Sequence, residues 1–286
     1  MRQRPRDDSR GILDPARLLR EVRFRRYLPA EPLREWVEHY WLIDWALGAP
    51  FQQRLVPHPA VNVVFQRNDP GAHDPSAHDP SAHDPSTGDG RVPEIGEVAG
   101  VGRDLFRITL TGTGRVCGVQ FRPGGFHPFW RRSIAELTGR RLPLPTGRLA
   151  RPGFEVCAGT DDERRRALDA TLTAWAPEPD PATEEAIRLA EAIRTDRTVL
   201  RVNEFAGRYD VPVRRLQRLF LDHVGVGPKW VIRRYRLQEA VEQAAGGPLN
   251  WADLAADLGY SDQAHLVRDF TAVAGVSPAA YARSVH

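Results

Sequence analysis

The sequence predicts an α+β chain, with a strand-rich, barrel-like N-terminal domain followed by an all-α C-terminal domain carrying two helix-turn-helix modules. Three observations predict it. The tail from Val202 to Arg283 states one pattern twice, about fifty residues apart. Phe205-Ala206 returns as Leu254-Ala255, Arg218-Leu219-Phe220 as Arg268-Asp269-Phe270, and Gly225-Val226-Gly227-Pro228 as Gly275-Val276-Ser277-Pro278. Ahead of it, residues 24–144 carry short apolar runs with the alternation of strands. Between the two, residues 145–182 are punctuated by Pro and Gly around one helical stretch, a connector that separates 24–144 from 183–286.

Composition bounds the reading. A chain of 286 residues has room for two sizeable cores. Its formal charge of +3 suits DNA without requiring it. Nearly all the positive charge is Arg, and Lys229 is the only lysine. Cys117 and Cys157 supply neither a disulfide framework nor a zinc cluster, so a cytoplasmic location is the simplest expectation. No apolar run is long enough to span a bilayer, which argues against a membrane partner. Arg2 to Arg10 lack the apolar core of a signal peptide, and residues 1–23 read as a disordered basic leader.

In the N-terminal domain, Leu33, Trp36, Val37 and Tyr40 share one side of a short helical stretch. Trp41, Ile43 and Trp45 then alternate with Leu42 and Asp44, as in a strand. Val61 to Phe65 reads as a buried strand. Phe106, Ile108 and Leu110 form one arm of an expected hairpin, Val116 to Arg122 the other, and Thr111-Gly112-Thr113-Gly114 its turn. Pro123-Gly124-Gly125 ends the strands before a helix from about His127 to Leu137. Within this domain, residues 68–90 hold Ala72-His73-Asp74-Pro75-Ser76 in three successive copies. Pro in every unit makes this an extended, flexible loop rather than a metal site.

Nothing in this half spells an enzyme or a cofactor site. His39, His58 and His127 have no acid at a spacing that suggests a triad or a metal centre, and Trp36, Trp41, Trp45 and Trp130 fit core packing better than a pocket. Gly100-Val101-Gly102 and Gly112-Thr113-Gly114 lack the helix and third glycine of a dinucleotide fingerprint. The expectation is therefore no catalytic residue, no metal and no cofactor. In the connector, Asp161 can cap a helix carrying Leu168, Leu172 and Trp175, and Thr183 caps the first helix of the C-terminal domain.

Each C-terminal module follows from local chemistry. Trp251, Leu254, Ala255 and Leu258 fall on one helical face, which stops at Gly259; Ser261 or Asp262 can cap the next helix, from which Leu266 and Phe270 return to the core. In the first module Val202, Phe205, Ala206, Leu216, Leu219 and Phe220 bury in parallel. Two polar faces remain: Arg214, Arg215, Gln217 and Arg218 on one helix, Gln263, His265 and Arg268 on the other. Such faces suit the major groove, where Arg pairs with guanine and Gln with adenine.

This tail resembles the AraC/XylS-type regulators over roughly Thr183 to Arg283. The resemblance rests on Ala252-Asp253-Leu254-Ala255-Ala256-Asp257-Leu258-Gly259-Tyr260-Ser261-Asp262-Gln263-Ala264-His265-Leu266 and Gly275-Val276-Ser277-Pro278-Ala279-Ala280-Tyr281. It implies two modules joined by a long helix, here about Pro228 to Ala244, that enter successive major-groove faces of one site. It carries the reading positions onto Arg214, Gln217 and Arg218, and onto Gln263, Ala264, His265 and Arg268. The first module departs from the pattern at Asp210, where a turn Gly is usual, and at Pro212, where a capping Ser or Thr is usual. The N-terminal domain resembles the mostly uncharacterised domain found ahead of such tails, through Val56-Pro57-His58-Pro59, Gly118-Val119-Gln120-Phe121-Arg122-Pro123-Gly124-Gly125 and Glu136-Leu137-Thr138; it implies a small barrel-like fold and names no ligand.

The expected function is sequence-specific, non-enzymatic transcription regulation, as activator or repressor. Double-stranded DNA and RNA polymerase are the expected partners, with room for a small-molecule effector and a homodimer. From Arg208 to Arg236, Lys229 included, eight basic residues face two acids, whereas from Leu237 onward two arginines face six acids. Phosphate attraction is thus expected from the first module and the joining helix. Two rival readings stay open: a small-molecule enzyme with a DNA-localising tail, and an architectural or antagonist protein acting through a partner regulator.

Overall fold

The computed structural model describes residues 11–68, 93–245 and 250–285; the His-Asp repeat and the start of the basic leader lie outside the described residues. The N-terminal strands are β1 (Arg23–Tyr27), β2 (Val37–Ala46), β3 (Phe51–Leu55), β4 (Asn62–Asn68), β5 (Ile95–Ala99), β6 (Phe106–Leu110), β7 (Thr113–Phe121) and β8 (Arg141–Pro143). Six of them form an antiparallel sheet in the order β1-β2-β7-β4-β5-β8, and β3 pairs with β6 as a separate ribbon.

The sheet is buried on both faces, which is why its central strands are apolar almost throughout. On one face Tyr40, Leu42, Val63, Phe65, Cys117, Val119 and Phe121 pack against α2 (His127–Trp130) and α3 (Asp161–Ala174) through Phe129, Leu168 and Leu172. On the other, Trp41, Ile43, Trp45, Val64 and Val116 meet Phe51 and Leu110 of the ribbon and Leu18 of α1 (Pro15–Glu21). Gly118 makes this second face possible: a Cβ there would lie 2.0 Å from the Trp41 indole.

Several local expectations are corrected. Residues 11–22 are ordered, with Asp14 capping α1 through Arg17 N (2.9 Å) and Leu13 and Leu18 buried, so the leader is not disordered throughout. Leu33 lies in a short 3-10 turn, while Val37 and Tyr40 belong to β2, because pairing with β7 satisfies their backbone better than an isolated helical turn. The expected 106–122 hairpin is absent. The β6 strand pairs with β3 and β7 with β2 and β4, and the link between them is held to the end of β2 by Leu47 N to Gly112 O (2.8 Å) and Trp45 Nε1 to Thr111 O (3.1 Å). The helix expected from His127 to Leu137 stops at Trp130, where Arg131 turns left-handed (φ 57°), and resumes only as a 3-10 turn over Ile134–Leu137. Thr160, not Asp161, is the N-cap of α3, closing a capping box with Glu163.

The connector helix belongs physically to the sheet. Arg164 on α3 reaches Asp44 on β2 (2.7 Å), and Asp161 accepts from Arg25 (2.6 and 2.7 Å) and from Tyr27 (2.7 Å). The C-terminal part is helical: α4 (Pro181–Thr195), α5 (Val202–Arg208), α6 (Val213–His223), α7 (Pro228–Ala245), α8 (Trp251–Asp257), α9 (Gln263–Ala274) and α10 (Pro278–Val285). Asp180 caps α4 by accepting from Ala182 N (3.0 Å); Thr183, expected as the cap, instead donates its hydroxyl to Asp180 (3.2 Å).

Candidate nucleic-acid interface

The repeat seen in the sequence is a repeat of geometry. In the first module α5 and α6 bury Phe205, Ala206, Leu216 and Phe220; in the second α8 and α9 bury Leu254, Ala255, Leu266 and Phe270. Each first helix ends in the same turn, with Val211 N bonded to Ala206 O (3.0 Å) and Tyr260 N to Ala255 O (2.9 Å). The turn needs a left-handed residue, supplied by Gly259 at φ 72° and by Asp210 at φ 52°. Asp210 thus adopts the glycine conformation without being glycine. The second turn is one residue longer, and Asp262 caps α9 through His265 N (2.7 Å), whereas Pro212 precedes α6 with no side-chain cap.

The expected reading positions divide into two groups. Arg214, Gln217 and Arg218 stand exposed on α6, Gln263, Ala264 and Arg268 are exposed on α9, and Lys229 is exposed in the first turn of α7. Arg215 is also exposed but is bonded to Glu185 of α4 through both guanidinium nitrogens (2.6 and 2.5 Å), an interaction that raises its pKa. His265 is half-buried, with Ser261 Oγ 3.2 Å from its Nδ1 and Tyr260 edge-on to its ring. Arg215 and His265 are therefore held by the protein, and the others face outward.

The joining helix corrects the charge argument. Of the basic residues counted there, Arg233 is paired with Asp269 of α9, and the bond to that carboxylate holds its pKa above the usual range. Buried Arg234 donates to Arg103 O (2.6 Å) and lies over the Trp230 ring (4.5 Å). Buried Arg236 bonds Glu239 (3.1 Å), Asp196 O (2.7 Å) and Val199 O (3.1 Å). These arginines, together with Arg208 on Asp196, hold helices to one another and to the N-terminal domain. A sequence count cannot separate a structural arginine from one that meets a phosphate.

Sequence spacing also missed one constellation. His127 of α2, Asp180 capping α4 and His223 at the end of α6 come together, with His223 Nε2 3.0 Å and His127 Nδ1 3.4 Å from Asp180 Oδ2 and the two rings stacked at 4.0 Å. Burial and the neighbouring His223 push the His127 pKa down. Burial works against the Asp180 carboxylate, yet the bonds from His223, Ala182 and Thr183 hold it below its usual range. These residues lie 53 and 43 positions apart in the chain, so no local motif announces them.

The chain matches two families, one in each part. Residues 205–284 match a helix-turn-helix domain, and residues 25–143 a domain of unknown function. Residues 205–284 are an AraC-type helix-turn-helix domain. Among solved structures, the chain is similar to the C-terminal domain of AraT, a response regulator from Geobacillus stearothermophilus (22% identity, 37% of this chain and 86% of that one, TM-score 0.33). It is also similar to ToxT from Vibrio cholerae (10% identity, 92% and 98%, TM-score 0.41) and to unsaturated fatty acid-bound ToxT (12% identity, 85% and 94%, TM-score 0.37). No curated protein matches the chain. With its AraC-type domain the chain is a DNA-binding transcription regulator, and among the described residues no helix is long and apolar enough to cross a membrane.

Proposed function

We propose that this regulator reads DNA through α6 and α9, with Arg214, Gln217, Arg218, Gln263, Ala264 and Arg268 at base edges and Lys229 on a phosphate. The observation that carries the reading is the division of the charged residues. Five of the nine arginines of the AraC-type domain are bonded to carboxylates or carbonyls, whereas among the described residues Arg214, Arg218, Arg268, Arg283 and Lys229 have no ion pair and stand exposed. Arg215 serves to fix α6 against α4, and His265 to shape the start of α9. Bidentate Arg–guanine and Gln–adenine pairs would supply discrimination of about 1–3 kcal/mol each.

Docking of two helices in neighbouring major-groove segments then recruits or obstructs RNA polymerase. The N-terminal domain is the natural seat of control by a small ligand or by self-assembly, because it packs on both modules and a ligand that prefers one domain arrangement shifts the other. The test is fluorescence-anisotropy binding to DNA upstream of the protein's own and neighbouring genes, against scrambled DNA, across a salt series. A salt-resistant preference for one fragment, lost in Arg218→Ala, is the expected result. Equal and steeply salt-dependent binding to every fragment overturns direct readout.

A further inference from the structure

We infer that His127, Asp180 and His223 form a binding site for a divalent transition-metal cation of the zinc class, clamping the first recognition helix to the N-terminal domain. The three donor atoms lie within 4.8 Å of one another. A zinc ion about 2.0–2.1 Å from each donor needs donors roughly 3.3 Å apart at tetrahedral angles. The two contacts to Asp180 Oδ2, at 3.0 and 3.4 Å, bracket that value, and binding would turn the two stacked imidazoles so that both in-plane lone pairs converge on the ion. Two imidazoles and one carboxylate are a donor set for zinc, nickel or iron rather than for calcium or magnesium.

One tautomer of His223 suits a metal ligand. Its Nδ1 lies 3.3 Å from Leu219 O one turn earlier on α6, and when Nδ1 donates to that carbonyl, Nε2 presents a lone pair. That lone pair faces a carboxylate oxygen 3.0 Å away. In the other tautomer Nε2–H donates to Asp180, and it is this proton that a bound metal would replace. A histidine whose second nitrogen is tied to a backbone carbonyl is the usual arrangement around bound metals. The carboxylate is similarly supported, by Ala182 N and the Thr183 hydroxyl. Access exists as well: the Asp180 side chain is 32% exposed and that of His127 21%.

Acidic groups flank the site. Asp222, which accepts from Ser133 (3.2 Å), acts on His127, and Glu185 lies close enough to feel His223. The cation of Arg215 is matched by that same Glu185, and Arg131 by Glu178. The three ligands come from α2, from the start of α4 and from the last turn of α6. A bound ion would therefore tie the N-terminal domain to the recognition helix across the junction where Thr138 already donates to Gly225 O (2.6 Å).

Metal uptake by the full-length protein tests this, using cobalt for its visible d–d absorption and zinc for thermal shift. The His-Asp repeat is a competing source of imidazole, so four proteins are compared: wild type, His127→Gln, His223→Gln, and a repeat variant with His73, His78 and His83 all changed to Gln. Wild type and the repeat variant should each take up one tightly held cobalt. At zinc 100-fold above its Kd their melting midpoint should rise by about 5 °C. His127→Gln, whose half-buried side chain makes it the variant safest for folding, should lose both signals while keeping the metal-free midpoint of wild type. No uptake by wild type, or uptake that survives in both single variants and disappears in the repeat variant, overturns the site.

Discussion

Arg233 separates a structural role from a DNA-binding one. A phosphate-binding arginine can be removed without harm to folding, but Arg233 bridges α7 to Asp269 of α9, whose side chain is only 8% exposed. Arg233→Ala would leave that carboxylate buried without its cation. Breaking a fully buried pair costs about 3–5 kcal/mol. The Arg233 side chain is 51% exposed, so water screens part of the loss and about 2 kcal/mol is the better expectation. That corresponds to a fall of about 3–4 °C in the melting midpoint for a chain of this size. Replacing both partners by apolar residues, Arg233→Met with Asp269→Leu, should recover most of it, because no charge is then left unpaired. The assays are thermal unfolding and a salt series of DNA binding, in which each lost phosphate contact lowers the slope by about 0.9. If Arg233→Ala kept the wild-type midpoint and lowered the salt slope by that amount, Arg233 would be a phosphate ligand and the division of the arginines would be wrong.

Other outcomes follow from the same structure. Lys229→Ala should weaken binding to specific and scrambled DNA alike and lower the salt slope by about 0.9, whereas Arg218→Ala should cost roughly 5- to 150-fold on the specific fragment with little change in slope. Asp210→Gly should be tolerated because position 210 is left-handed, while Asp210→Val should lower stability by about 1–2 kcal/mol in urea unfolding. The bond from Arg25 leads the effects that hold the Asp161 carboxyl at about 2, below its usual 3.8. Its stabilisation is therefore complete above about pH 4 and lost as pH falls toward 2. After solvent screening this is worth about 1 kcal/mol, and Asp161→Asn should show it as a flatter acid-unfolding profile.

How far the sequence could be read follows from the range of the forces involved. The helix-turn-helix modules were legible because their determinants are local: apolar positions at helical spacing, a left-handed turn at Gly259 and a cap at Asp262 recur within about twenty residues. Strand existence was legible for β2, β4, β6 and β7, but strand pairing was not. Thr111-Gly112-Thr113-Gly114 has hairpin chemistry, yet Trp45 and Leu47 at the end of β2 capture that turn and send its two arms to different sheets. The helix after Gly125 was overextended because nothing in Arg131 signals a left-handed residue. At the candidate site, exposure of Arg214, Gln217 and Arg218 followed from helical periodicity. The capture of Arg215 by Glu185, thirty positions away, did not. The same holds for His127, Asp180 and His223, which meet only when α6 packs against the N-terminal domain.

That packing bears on how the regulator is built. Val101 of the N-terminal domain lies in the core of the first module, and Leu13, Val56 and Leu105 lie in the core of the second. Polar ties accompany each contact: Thr138 to Gly225 O (2.6 Å) at the first, and the Tyr281 hydroxyl to Leu13 O (2.9 Å) at the second. The spacing of the two recognition helices is thus fixed twice, by α7, which at 18 residues is about 27 Å long, and by a shared N-terminal support. Removing one tie should loosen one module selectively. Tyr281→Phe leaves the Leu13 carbonyl without that donor in a buried setting, at a cost of about 1–2 kcal/mol. Hydrogen exchange should then speed up in α9 and α10 while α5 and α6 keep their protection. Uniform loss of protection across both modules would mean that they open as one unit, and that the N-terminal domain does not support them separately.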